Sequence, residues 1–334
     1  MGTIILSLNF TAPTAPQHAE LYMPEKTENF ADGVLHIIKV ALSHIAPNVT
    51  DATQICLSLI AIVFLVSLLD SFSAKTKTMT RLVGAISVSV LLIQSSQTLI
   101  RLGISTIDAM SEYGKLLLPV MAAALAAQGG TASSTALYTG TAVFDTLLTS
   151  ILSKIIVPSV YIFIVVSVAN SVIKQEILSN IAKLLKWTMT WTLKIILYVF
   201  TGYISITGVI SGTVDAAALK ATKITISGAV PVVGNIIADA SETILVSAGI
   251  VKNSVGVYGM LVILSLWIGP FLQTAVQYLL LKLTGAVCTV IGKHDTLDLI
   301  HDFTSVMGFL LAATGAMCLL LLITTVCFMR GVAV

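Results

Sequence analysis

Long apolar runs separated by short polar stretches set the plan of this chain. Ile55 to Leu69, Leu82 to Ile100, Ile155 to Ile173, Leu193 to Ile210, Val255 to Leu281 and Phe303 to Met329 each read as a helical crossing, since about 20 apolar residues span a bilayer core. Strands are not expected, because an open sheet cannot satisfy its backbone in lipid. The first run is short for a crossing and predicts tilt or local thinning of the bilayer.

Two further runs are interrupted. Residues 116–152 are rich in Ala, Gly, Ser and Thr and are broken at Pro119 and at Gly129 and Gly130. Residues 229–251 are broken at Pro231 and Gly234. Each fits either a hairpin of two short, re-entrant helices or two closely packed spans. Small residues permit close helix approach in lipid, and interrupted helices also line cavities in transporters.

Amphipathic stretches lie between the runs. In 34–46, Val34, Leu35, Ile37, Ile38, Ala41, Leu42 and Ile45 share one face, and His36, Lys39, Ser43 and His44 share the other. This predicts a helix lying in the membrane interface and ended at Pro47. Residues 174–194 set Lys174, Lys183, Lys186 and Lys194 opposite a row of Ile and Leu, with Trp187 and Trp191 as an aromatic belt. This predicts a second interfacial helix, cationic and on the cytoplasmic side. Residues 102–115 carry Asp108, Glu112 and Lys115, and 213–228 form a polar external stretch.

Basic residues set the orientation. Lys75, Lys77 and Arg81 cluster in one short loop, which the positive-inside rule makes cytoplasmic and which puts the N-terminal segment outside. Lys282 and Lys293 agree, the polar loop 293–302 is cytoplasmic, and the last span leaves the C-terminus outside against the single Arg330. Residues 1–33 are polar and lack the basic start and cleavage site of a signal peptide.

The spacing of prolines predicts a duplication. Pro119 and Pro231 are 112 residues apart, and so are Pro158 and Pro270. Both units run outward span, amphipathic segment, interrupted segment, inward Pro-containing span and cationic stretch. The units are 82–193 and 194–305, followed by a final span to 329; if each interrupted segment is a hairpin that enters and leaves on one side, they run parallel, about an axis along the membrane normal. The chain thus divides into an extracytoplasmic segment, 1–50, and a polytopic membrane domain, 51–334.

Composition agrees with this plan. Of 334 residues 56% are hydrophobic and 10% charged, with mean hydropathy +0.99; a soluble domain is nearer a quarter charged. The class is an all-α, polytopic membrane protein. A net charge of +2 says little about partners, and with no basic tract suited to nucleic acid none is expected. Cys56, Cys288, Cys318 and Cys327 lie in or beside apolar runs with no metal spacing, so no metal or other cofactor is expected. His294 and His301 flank Asp295, Asp298 and Asp302, a set read as a solvated loop or docking surface rather than a metal site. No hydrolase, P-loop or dinucleotide motif is present, and the chain is not expected to be an enzyme.

Charge at bilayer depth costs on the order of 3 kcal/mol on insertion scales, so it pairs, faces a partner or faces water. Asp239 and Glu242 share a helix face at i, i+3, continued by Thr243 and Ser247; Asn235 lies close by, and Asp215, Lys220, Lys223 and Lys252 offer charges to pair with. These residues either line an aqueous path or bind an ion, or they hold the helices together as ion pairs.

In the same stretch the chain resembles the stage III sporulation protein AE family. The matching elements are Thr213-Val214-Asp215, Lys220, Lys223, Pro231-Val232-Val233-Gly234, Asp239-Ala240, Glu242, Lys252-Asn253, Val255-Gly256 and the Leu116–Met121 segment, with the likeness running from about residue 50 onward. The resemblance implies a membrane component of the secretion-like complex that joins mother cell and forespore in endospore formers. It implies partnership with the other stage III A proteins, including the AA ATPase, and with the forespore protein Q. It places the chain in the mother-cell-derived outer forespore membrane. Docking surfaces would lie at 71–81, 174–194 and 282–302, where Lys75, Lys77, Arg81, Lys183, Lys186 and Lys293 are found. Three roles are open: a channel or permease-like subunit acting as an oligomer or with partners; a self-contained transporter working through the intramembrane carboxylates; and a non-conducting scaffold.

Overall fold

The computed structural model describes residues 12–24, 30–72, 77–128, 131–229, 234–291 and 295–330; within 203–252 it describes the backbone alone. The described residues are almost all helical, with no strand among them. In chain order the helices are α1 (Gln17–Glu20), α2 (Phe30–His44), α3 (Ala46–Phe72), α4 (Lys77–Ala127), α5 (Thr131–Ile151), a π-helical turn at Leu152–Ile156, α6 (Val157–Ile173), α7 (Glu176–Ala229), α8 (Gly234–Ile291) and α9 (Asp295–Arg330). Five segments are long and apolar enough to cross a membrane: Ala46–Ser71, Met79–Ala127, Ser134–Ile173, Asn253–Ile291 and Thr296–Met329. They contain five of the six expected crossings; the sixth, 193–210, lies on α7 and runs into the region described by backbone alone.

The helices are longer than the pattern predicts. Pro119 does not break α4, which continues to Ala127. A proline costs a helix one hydrogen bond and clashes with the carbonyl four residues back. Here the turns around it are held by the core: Leu117, Leu118 and Met121 are buried. The break comes after Gln128, so 116–152 is the meeting of two long helices and not a pair of short re-entrant ones. The cationic stretch 176–194 is no separate interfacial helix either. It is the start of α7, whose Ala182, Met189 and Leu193 are buried, and no Gly or Pro intervenes to divide it from the run that follows. The stretch 213–228, expected as a polar external segment, is part of α7. Asp295 to Asp302, expected as a loop, form the first turns of α9 because Leu297, Leu299 and Ile300 are buried in the core.

Near the start of the membrane domain the correction has the same sense. Pro47 does not end the interfacial helix; α2 stops at His44 and Pro47 falls in the first turn of α3, where its missing N–H has no partner to lose. With that turn included, α3 reaches 27 residues, about 40 Å, and needs no thinning of the bilayer. On α2 only Gly33, Ile37 and Ala41 are buried, while Leu35, Ile38 and Leu42 remain exposed. That division suits a helix resting on protein with one face and on lipid with another. Tyr22, just before it, tucks its ring against Gly269 and His44, and burial pushes its phenol pKa up.

The bundle alternates in direction. Gly84 of α4 meets Val66 of α3, and Arg81 pairs with Asp70 at 3.1 Å where these two helices join. At the heart of the molecule α4 packs between α8 and α9. Gly103 faces Leu310 and Thr314, and Gly114 faces Leu321. Both helices therefore advance together, side by side and parallel. α8 runs the other way, with Gly285 against His301 and Gly256 against Met329. One end of the bundle thus carries the joins of α3 with α4, α6 with α7 and α8 with α9. We call it the basal end; the joins of α4 with α5 and α7 with α8 lie at the apical end.

Glycine sets the spacing of this core. A methyl group at Gly259 would lie 2.7 Å from Leu117 Cδ2, and one at Gly114 would lie 2.8 Å from Leu321 Cδ2. Lipid gives helices no hydrophobic reason to associate, so close van der Waals packing carries the assembly. Gly259→Leu is therefore expected to cost about 1–3 kcal/mol through overpacking, read as a lower thermal midpoint in detergent. Gly202→Leu, where nothing lies within 4 Å of the added group, should leave the midpoint near that of the wild type.

Candidate functional site

Most of the chemistry anticipated from the sequence falls where no side chain is described. Residues 215, 220 and 223 lie on the helical backbone of α7, and 235, 239, 242 and 252 on that of α8. The side chains of Asp215, Lys220, Lys223, Asn235, Asp239, Glu242 and Lys252 are outside the described residues. So are Gly129, Gly130, Pro231, Lys75 and Lys293 and the side chain of Lys77; Gly234 is the first residue of α8.

Of the expected docking cations, Lys183 is exposed and Arg81 is tied to Asp70. Lys186 donates to Ser305 Oγ at 2.7 Å and lies within electrostatic reach of Asp302, so it clasps α7 to α9. Lys186→Met is expected to cost about 1–2 kcal/mol, because a charge-assisted bond is lost and Asp302 keeps no cation on α7. Ser305→Ala should cost about half as much. The two unfolding midpoints check this; equal shifts would mean that the charge of Lys186 contributes nothing.

Asp302 also lines a cavity of about 260 Å³ at the basal end, between the C-terminal turns of α6 and the first turns of α7 and α9. Ser167, Asn170, Glu176 and Asp298 line it too, with Lys174 at the turn. α6 ends there because Lys174 takes a left-handed conformation (φ 56°, ψ 49°), its N–H bonded to Asn170 O at 3.0 Å. That conformation strains a residue with a Cβ, and it turns the chain sharply enough for α7 to begin at Glu176. The cavity is polar, acidic on two sides and open. Asp298 and Asp302, expected in a solvated polar loop or docking surface, lie on a helix and line this cavity. Among the described residues no three His, Cys, Asp or Glu side chains come together as a metal site.

A second polar cluster lies in the core, toward the apical end. Asp145 of α5 is 2% exposed and Ser111 of α4 is 1% exposed. Ser111 donates to Asp145 Oδ2 at 3.1 Å, and Thr149 Oγ1 donates to Ser111 at 3.3 Å. Asp145 Oδ1 and the hydroxyl of Thr141, both buried, make no hydrogen bond among the described residues. Thr141, Asp145 and Thr149 recur every fourth residue and so share one face of α5. No motif marks Asp145 as a site residue. The signal was nonetheless in the sequence, since Asp145 is the sole charged residue between Lys115 and Lys154 and has Thr four residues to either side.

Long apolar helices packed in alternating directions around buried polar groups define a multi-pass α-helical membrane protein. The chain belongs to the stage III sporulation protein AE family, whose profile matches residues 19–331. Much of the N-terminal segment, 19–50, therefore belongs to the family as well. The chain is 21% identical over 231 residues to the stage III sporulation protein AE of Bacillus subtilis (strain 168). That alignment covers 69% of this chain and 58% of the relative, so a large part of the relative lies beyond the match. No solved structure matches.

Proposed function

We propose that this chain is a channel or permease-like subunit of the secretion-like complex that joins mother cell and forespore, in the outer forespore membrane. The observation that carries the proposal is the exposed face of α4. Arg101, Asp108, Glu112 and Lys115 are all exposed along it, while Ile100, Ile107, Met110 and Leu117 are buried on the other face. Lipid is a poor neighbour for four charges on one helix face. α4 has 51 residues and is about 75 Å long, well over twice the hydrocarbon thickness. Its apical half thus reaches beyond the bilayer, to water or to another protein, as a subunit of an assembly requires. The basal end, with Lys174, Lys183 and the acidic cavity, serves the cytoplasmic partners, among them the AA ATPase; other stage III A proteins and the forespore protein Q meet the apical side. The long-helix pairs α4 with α5–α6, and α7 with α8, suit two duplicated units in parallel.

A self-contained transporter is the second reading, favoured by the buried Asp145. Native mass spectrometry after gentle extraction separates the two. Several copies in a closed assembly are expected; a monomer would place any path within one chain. Replacing Asp108 and Glu112 together by Leu should weaken association of the copies about tenfold, or about 1.4 kcal/mol, if this face meets a partner. Unchanged association with improved stability would return the face to lipid.

A further inference from the structure

We propose that Ser111, Thr141, Asp145 and Thr149 form a binding site for a small, hard monovalent cation of the sodium class. The donor set is all oxygen: one carboxylate and three hydroxyls, the ligands that hard cations select. Ser111 Oγ stands 3.1 Å from Asp145 Oδ2 and 3.3 Å from Thr149 Oγ1, spacings at which oxygens can share one small ion. Asp145 Oδ1 and Thr141 Oγ1 are buried, a turn apart on the same face of α5, and make no hydrogen bond among the described residues.

Buried oxygens with no donor need a proton donor, a water or a cation. A water would satisfy the oxygens but add no charge, leaving that of Asp145 in a helical core with only the exposed Lys115 to offset it, which is unfavourable. One monovalent ion satisfies both. A divalent ion would leave a net positive charge, since Asp145 is the sole carboxylate in the cluster. Lys115, one turn beyond Ser111, is exposed yet within electrostatic reach of Asp145. It supplies the countercharge when the ion leaves and competes with it. Occupancy of the site does not depend on whether the chain conducts.

The test is thermal unfolding of the full chain in detergent, titrated with NaCl against N-methyl-D-glucamine chloride at constant ionic strength. The wild-type midpoint is expected to rise with Na⁺ and saturate, because a ligand that binds only the folded state stabilises it. Asp145→Asn should abolish the rise. Ser111→Ala, which keeps the charge, should move the half-saturating Na⁺ concentration up about tenfold, and Lys115→Met should move it down. A wild-type midpoint indifferent to Na⁺ overturns the proposal. So does a rise that survives in Asp145→Asn, or a half-saturation point unmoved by both Ser111→Ala and Lys115→Met.

Discussion

The close approach of α4 to α8 and α9 is the contact on which the other elements depend. In a medium as apolar as the side chains themselves, helices stay together only where their surfaces fit. Gly103, Gly114, Gly256 and Gly259 open the room for Leu310, Leu321, Met329 and Leu117. The bundle so formed buries Met110, Leu117, Val262, Ile263, Met307 and Met317. Around this trio the other helices are added in pairs: α3 lies against α4 and α8, and α5, α6 and α7 close the far side. The polar features follow from the same arrangement. Asp145 can be buried because α5 packs on α4 opposite Ser111, and the basal cavity exists because α6 and α7 join beside the start of α9.

Hydropathy made the class of the protein and the order of its long apolar segments legible, because the free energy of placing a residue in lipid is local and roughly additive. It did not make the helix lengths legible. Pro119 looks like a terminator in a string of letters, yet it lies inside a helix, as Pro270 does, since packing on neighbouring helices outweighs one missing hydrogen bond. The stretch from Asp295 to Asp302 looked like a loop because its polar residues are conspicuous, whereas Leu297, Leu299 and Ile300 decide its conformation.

The sites divide in the same way. The acidic group at 298 and 302 could be seen in advance, because charges stand out in a greasy chain. Asp145 is more isolated yet inconspicuous in the sequence, because a lone carboxylate means nothing until a partner such as Ser111, 34 residues away, is brought against it. The motif around Asp215 to Lys252 revealed the family through its letters rather than its geometry.

The π-helical turn at Leu152–Ile156 comes one turn before Pro158. The ring of Pro158 would meet the carbonyl of Lys154, and the widened turn gives it room. The extra residue also rotates whatever follows by roughly 100°, the angle one residue subtends in a helix. α5 and α6 are therefore one rod with two azimuths: Asp145 is presented to α4, and Ser167 to the basal cavity beside α9. Removing a single residue from that turn would leave both helices intact in length and hydropathy, yet set one of these polar faces toward the wrong neighbour. The length of this hydrophobic segment is then under a constraint of phase as well as of membrane thickness.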